Sequence, residues 1–238
     1  SNIVSMVIMF AVTSLFVSEQ SFAQNSTNAY QIVEGWAKLP GGREMGAVGK
    51  AVVDNDGRHV WAVIRCDAPQ EMFGRECVDS DLDPILKFDP DGNVVESFGG
   101  GMFIWPHGLD IDSDGNIWVT DAVRDANIPT GDDRGHLIVK FSPTGEVLLT
   151  IGSPGESGNG PYQFTEPSDV AVAANGDVFI ADGHSESGNN RVAKYSSRGQ
   201  FLMSWGETGY APGEFRALHA IAIDPDGRVF VGDRSNSR

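Results

Sequence analysis

Basic residues are scarce in this chain of 238 residues, in which 17 Lys and Arg stand against 33 Asp and Glu. The formal net charge is −16, and the acidic side chains are spread along the chain without a long block. Nucleic acids and anionic membrane surfaces attract faces rich in Lys and Arg. The charge balance therefore argues against a nucleic-acid partner and against binding to an anionic membrane surface.

Long apolar runs are absent after residue 23. Before it, the segment from Ile3 to Val17 is dominated by aliphatic residues and Phe, and small residues follow at Ser21 and Ala23. This pattern predicts a secretory signal peptide over 1–23, cut after Ala23, with an uncleaved membrane anchor as the alternative. The usual basic start of such a leader is missing, so we expect the sequence to begin inside it. Export implies a periplasmic or extracellular location.

Cysteine is also rare, since only Cys66 and Cys77 are present, eleven positions apart. In an oxidising compartment this spacing favours a local disulfide that pins the intervening loop. Two free thiols are the alternative. A metal pair is disfavoured because no second Cys or His lies nearby at ligand spacing.

Helical periodicity is lacking, and a repeat of about fifty residues takes its place. One line of it reads GLDIDSDGNIWVTDA (108–122), DVAVAANGDVFIADG (169–183) and AIAIDPDGRVFVGDR (220–234). The other reads ILKFDPDGNVVESFG (85–99), IVKFSPTGEVLLTIG (138–152) and VAKYSSRGQFLMSWG (192–206). Each line is a pair of short strands around a turn, so one period holds four strands.

Four-stranded units at this period are typical of the blades of a β-propeller. The sequence predicts an all-β fold with blades at 46–99, 107–152 and 168–206, and a fourth that begins near 219. Residues 24–45 lead into this propeller, which spans 46–238. Because the chain holds about three and a half blades, we expect it to be truncated at its C-terminal end.

Histidines recur at one position of the repeat. His107 precedes the first strand of blade two and His219 that of blade four, whereas Ser168 holds the position in blade three. First strands line the central channel of a propeller, so the two imidazoles are expected to meet at one mouth and to start a Zn²⁺ site. Hydrogen-bonded turn residues are the alternative. His59 and His136 are interpreted as surface or strand-edge residues.

The pattern D-x-D-G-x-[IV]-[WF]-V-[TAG]-D followed by N-x-R resembles NHL repeats. The segments WPHGLDIDSDGNIWVTDA, EPSDVAVAANGDVFIADG and LHAIAIDPDGRVFVGDR resemble, more specifically, the peptidyl-α-hydroxyglycine α-amidating lyases and their exported bacterial relatives. This resemblance covers about residue 45 to the end. It implies a six-bladed propeller with a catalytic Zn²⁺ held by three His and a structural Ca²⁺ in the channel.

The resemblance also assigns residues to a site. His107 and His219 correspond to two zinc ligands, and the third belongs to a later segment that this chain does not reach. Arg65 corresponds to the arginine that holds the substrate carboxylate, and Arg234 to a second active-site arginine. His184 stands where animal members place a catalytic tyrosine, and it is interpreted either as a general base or as a polar loop residue.

The channel cation and the reaction follow from the same resemblance. The main-chain carbonyls of Ala51 and Leu109 are expected to hold the calcium in part, and its carboxylate ligand belongs to a later segment that this chain does not reach. The implied activity is cleavage of the C–N bond of a small peptidyl carbinolamide, by a monomer, into an amide and glyoxylate. A non-catalytic NHL propeller that binds peptides or proteins of the cell envelope is the alternative. A calcium-dependent lactonase ranks third, because it needs acidic and Asn ligands instead of His at the strand starts.

Overall fold

The structure is a computed structural model, which describes residues 31–67 and 72–238. The predicted signal peptide (1–23) lies outside the described residues, as does the segment 24–30. The chain divides into two units, Ser1–Glu34 and Gly35–Arg238, and the propeller strands all belong to the second. Within the described part of the chain, no helix combines the length and the apolar character needed to cross a membrane.

Short strands in antiparallel pairs make up the second unit. They are β1 (Val48–Val53), β2 (Val60–Ile64), β3 (Ile85–Phe88), β4 (Val94–Phe98), β5 (Pro106–Ile111), β6 (Ile117–Asp121), β7 (Ile138–Phe141), β8 (Val147–Ile151), β9 (Pro167–Val172), β10 (Val178–Asp182), β11 (Arg191–Tyr195), β12 (Phe201–Trp205), β13 (Leu218–Ile223) and β14 (Val229–Asp233). Single 3-10 turns lie at Pro40–Gly42, Asp125–Asn127 and Arg234–Asn236.

The strands form three four-stranded sheets and one two-stranded sheet, each in chain order. β1–β4, β5–β8 and β9–β12 are blades one to three, and β13–β14 open blade four. The predicted all-β fold of four-stranded blades is confirmed. The first strands of blades two, three and four begin one residue earlier than the repeat predicts, so His107 and His219 lie within β5 and β13 and do not precede them.

An acidic turn closes the first hairpin of blades one, two and four, whereas Ala173 begins the corresponding turn of blade three. In blade two, the Asp112 carbonyl accepts from Gly115 N at 3.0 Å, and Gly115 has φ +83°, a conformation that suits glycine. Oδ1 of Asp112 accepts from the backbone N of Asp114 and Asn116 at 3.0 and 2.9 Å. The side chain therefore satisfies the backbone where the chain reverses.

Apolar side chains between neighbouring blades form the core. Blades one and two share a cluster in which the Phe98 ring lies 5.6 Å from Trp61 and 5.2 Å from Phe141. Blades two and three share another, built around Trp118 and Tyr195, and a third lies between blades three and four. Each blade thus buries a face against its neighbour, as in other repeat proteins. The other face of blade one packs against Trp36, Ala37 and Leu39, which precede β1.

Two glycines allow the inner strands to approach closely at the axis. A Cβ at Gly49 of β1 would lie 2.4 Å from the carbonyl oxygen of His107 on β5. A Cβ at Gly108 would lie 2.5 Å from the Cα of Asp169 on β9. Any side chain at these positions would push the strands apart, so the glycines determine how near His107 comes to the other blades.

Candidate metal centre and active site

Three histidine side chains converge at one mouth of the channel. His107 lies on β5, His219 on β13, and His184 in the loop two residues after β10. One ring nitrogen from each lies within 4.8 Å of the others. The ring centroids are 4.8 Å apart for His107 and His184, 5.0 Å for His107 and His219, and 4.9 Å for His184 and His219. This spacing suits one metal ion between the three rings.

Burial keeps these imidazoles neutral. It lowers the pKa of His107 to about 3, and the charges of Arg65 and His219 act in the same direction. Burial also lowers the pKa of His184 to about 2, aided by His107 and Arg234. The pKa of His219 is lowered as well, first by burial. A neutral imidazole is the form that ligates metals.

The hydrogen bonds of the rings leave nitrogens available. Nδ1 of His107 lies 2.7 Å from the carbonyl oxygen of Ser168, which can only accept, so this nitrogen carries the proton and Nε2 keeps its lone pair. Nδ1 of His184 is buried and has no hydrogen-bond partner. A buried imidazole nitrogen without a partner is costly in a folded protein unless a ligand satisfies it.

The Trp105 ring lies close to two of the histidines and to an arginine. Its ring centroid lies 4.7 Å from that of His184 and 5.3 Å from that of His107. The Arg65 guanidinium carbon also lies over the Trp105 ring, 4.6 Å from its centroid. This stacking holds a cation beside the imidazoles without a hydrogen bond to them.

Arg65 is buried, with only 9% of its surface exposed. Its Nη1 lies 3.6 Å from the carboxylate of Glu76, and its Nε has no hydrogen-bond partner. Burial lowers the pKa of Arg65, and Glu76 opposes that shift. The guanidinium therefore keeps an N–H edge, at Nε, that has no acceptor among the described residues and can donate to an anionic ligand.

The predicted disulfide between Cys66 and Cys77 is present, with a Cα–Cα distance of 5.2 Å. It closes the loop that begins directly after Arg65 and contains Glu76. Cys66 has φ +43° and Asp67 has φ +51°, so the chain turns sharply at this point. The bond therefore fixes both members of the Arg65–Glu76 pair relative to β2.

Arg234 approaches the cluster from blade four. It begins the 3-10 turn after β14, and its Nη2 donates to the main-chain carbonyl of His184 at 2.7 Å. The guanidinium is otherwise exposed at the rim. A second cation thus stands beside the imidazoles and also holds the loop that carries His184.

The structure thus brings together all five side chains that the sequence suggested for the site, namely His107, His184, His219, Arg65 and Arg234. It gives His184 a location among the metal-ligand candidates that the sequence analysis did not assign to it. Trp105 and Glu76 were missed, although Trp105 stands two residues before His107 in the quoted WPHG.

Two other predicted positions lie apart from the cluster. Ala51 and Leu109 lie on the inner strands β1 and β5, along the channel.

The surface interpretation of His136 was wrong, because this side chain is fully buried and its Nε2 lies 2.8 Å from Oδ1 of Asp125. His136 takes part in no group with the three site histidines.

Comparison with known proteins agrees with the fold. The NHL repeat family model matches residues 103–127 and 164–195. The WD40 β-propeller domain of Doa1 aligns with 80% of this chain and 49% of its own, at 18% identity and a TM-score of 0.51. The chain thus carries NHL repeats at the matched residues and has the strand arrangement of β-propeller blades.

Curated relatives indicate which propeller it resembles. Mouse peptidyl-glycine alpha-amidating monooxygenase is 32% identical over 212 residues, covering 84% of this chain and 20% of the relative. Drosophila melanogaster peptidyl-alpha-hydroxyglycine alpha-amidating lyase 1 is 34% identical over 65% of the chain and 28% of the relative. Human NHL repeat-containing protein 3 is 33% identical over 65% and 43%. The chain thus spans less than half of each of these relatives, and it resembles the amidating lyases.

Proposed function

We propose that this protein is a zinc-dependent lyase that cleaves a peptidyl-α-hydroxyglycine into an amide and glyoxylate. The observation that carries the proposal is the convergence of three neutral imidazoles within 4.8 Å of one another, with two guanidiniums beside them. The name of the Drosophila relative supports the choice of substrate class.

The three histidines fit a zinc ion. They offer three nitrogen donors without a carboxylate, the set that leaves a fourth position open for catalysis. The buried Nδ1 of His184 has no partner among the described residues. The Ser168 carbonyl holds the proton of His107 on Nδ1, which leaves Nε2 free to bind the metal. Zinc bound there would lower the pKa of the substrate hydroxyl and stabilise its oxyanion.

Substrate orientation falls to the two arginines. The reacting carbon carries a hydroxyl, an amide nitrogen and a carboxylate, and the free edge of Arg65 suits the carboxylate. The bond from this carbon to nitrogen breaks, the hydroxyl loses its proton to become the carbonyl of glyoxylate, and the nitrogen gains a proton. Arg234 supplies a second positive charge at the rim, where it also steadies the His184 loop.

The disulfide supports export, because such bonds persist in oxidising compartments. A periplasmic or extracellular location would also give access to peptides outside the cell.

The experiment is a glyoxylate assay on a synthetic peptidyl-α-hydroxyglycine with zinc-loaded protein, Arg65→Lys and Arg65→Ala. We expect turnover by the native protein and a rise in KM of about 10²-fold for Arg65→Ala, since a charge-assisted carboxylate contact contributes about 3 kcal/mol. Arg65→Lys should recover only part of this loss. Zinc-loaded, folded protein that releases no glyoxylate would contradict the proposal.

A non-catalytic binding propeller is the second candidate. It is favoured by the similarity to NHL repeat-containing protein 3, whose name carries no reaction. If the assay above is negative, binding of the amidated and free-acid forms of the same peptide, measured by calorimetry, tests this alternative. Loss of binding in Arg65→Ala would assign it to the same mouth.

A further inference from the structure

A buried ion pair crosses the channel beneath the histidines. Nζ of Lys50, on β1 of blade one, lies 2.7 and 2.8 Å from Oδ1 and Oδ2 of Asp169, on β9 of blade three. The Asp169 side chain is 5% exposed and that of Lys50 is 28% exposed. Lys50 and Asp169 line one cavity of about 190 Å³ together with Gly49, His107, His219 and Ala220.

Asp169 is saturated with hydrogen bonds. Its Oδ1 accepts from the Lys50 ammonium and from Val170 N at 2.9 Å. Its Oδ2 accepts from the same ammonium and from Ile221 N, on β13, at 3.0 Å. A carboxylate offers about four lone-pair positions, and all four are used. One side chain therefore joins blades one, three and four.

A second, half-buried carboxylate lines a cavity beside the same ammonium. Asp110, on β5 of blade two, shares a cavity with Lys50, and its Oδ2 accepts from Val172 N at 2.8 Å. Burial raises the pKa of Asp110, and the backbone hydrogen bonds and the charge of Lys50 oppose that shift. The ammonium thus offsets two acidic groups drawn from two blades.

A divalent cation does not fit this arrangement. The expected calcium carbonyls belong to Ala51, next to Lys50, and to Leu109, next to Asp110, so they mark the same stretch of channel. Ca²⁺ requires six to eight oxygen ligands. Asp169 has no lone pair left to give, and an ammonium already contacts both of its oxygens.

We propose that the Lys50 ammonium is the resident cation of the channel and takes the place of the calcium ion that the resemblance implies. Through Asp169 it ties the inner strands of three blades together. The strands held in this way carry the candidate metal site. The Ser168 carbonyl that fixes His107 precedes Asp169, and Ile221 lies two residues after His219.

Thermal unfolding of zinc-loaded protein tests the proposal, with millimolar CaCl₂ or MgCl₂ added. We expect CaCl₂ and MgCl₂ to give the native protein the same Tm within about 2 °C. Lys50→Met should lower the Tm by about 10 °C, because it leaves Asp169 buried and unpaired. The double variant Lys50→Met/Asp169→Asn should recover a large part of that loss, because the unpaired charge is gone.

Lys194→Met is the matched control. Lys194 pairs with Asp177 at 2.7 Å on the outer part of blade three, and the two side chains are 25% and 19% exposed. Its loss should lower the Tm by about 3 °C at most. A Tm of Lys50→Met equal to that of this control would overturn the proposal, as would a double variant no more stable than Lys50→Met.

A direct measurement covers the case in which the variants do not fold. Equilibrium dialysis of the native protein against radioactive calcium should find no stoichiometric binding. One tightly bound Ca²⁺ per chain, or a native Tm clearly higher in CaCl₂ than in MgCl₂, would overturn the proposal and show that the channel binds calcium. Neither readout depends on lyase activity. Failure of this proposal can therefore be distinguished from failure of the proposed function.

Discussion

Replacement of His184 by Ala separates two roles for this residue. Structural zinc sites with four ligands contribute about 10–16 kcal/mol, or about 3 kcal/mol for each ligand. Because the three rings lie at equal spacing, each should contribute a similar share. We therefore expect His184→Ala to bind zinc on the order of 10²-fold more weakly than the native protein.

Competition with a chromophoric zinc chelator measures this affinity, and Co²⁺ absorption reports the number of ligands. His59→Ala is the control, because His59 pairs with Asp56 in an exposed turn of blade one and should leave the affinity unchanged. If His184→Ala binds zinc within about threefold of the native protein, the reasoning fails. A loss of turnover at saturating zinc with that unchanged affinity would instead assign His184 the role of proton acceptor.

Two further predictions concern stability. A histidine in the unfolded chain titrates near pH 6.5, whereas His107 and His184 stay neutral in the folded protein. Lowering the pH to 5 should therefore reduce the free energy of unfolding by about 2 kcal/mol for each of them. Urea unfolding of metal-free His184→Gln should therefore show a shallower loss below pH 6.5 than the native protein, whereas parallel curves would contradict the shifted pKa. The opposite contribution of Asp182, whose pKa burial raises to about 6, is common to both proteins. The Cys66→Ala/Cys77→Ala double variant removes the disulfide and should lower the free energy of unfolding by about 3 kcal/mol, because the unfolded loop gains conformational entropy. Urea unfolding measures this loss, and an unchanged free energy of unfolding would show that the loop needs no cross-link.

The blades could be predicted from the sequence because each repeat encodes the same local physics. An acidic turn such as Asp112–Gly115 fixes the hairpin, and the alternation that follows it turns one face of the sheet toward the next blade. Such contacts are between neighbours in the chain, so a repeat pattern is sufficient to find them. The meeting of His107 and His219 follows from the same symmetry.

His184 could not be assigned to the cluster in this way, since its position depends on a loop that does not repeat. The Glu166 carbonyl accepts from both Gly183 N and His184 N, at 3.1 and 3.0 Å, and turns the chain after β10 toward the axis. Gly183 has φ +142° at that bend. Blades two and four have the equivalent of the first of these bonds, from Ala122 N to Trp105 O and from Arg234 N to Ala217 O, but the second occurs in blade three alone among the described blades. His136 shows the same limit, because its partner Asp125 lies in a loop that does not repeat.

The charge of the mouth differs from that of the protein as a whole. The chain carries a net charge of −16, yet its candidate site joins three neutral imidazoles to Arg65 and Arg234. The carboxylates nearest to this site are themselves paired, Glu76 with Arg65 at 3.6 Å and Asp169 with Lys50 at 2.7 Å. A low-dielectric wall such as Trp105 strengthens the field of the guanidinium. We therefore expect the site to prefer an anionic ligand despite the negative charge of the surrounding surface, which is the property that a carboxylate-bearing substrate requires.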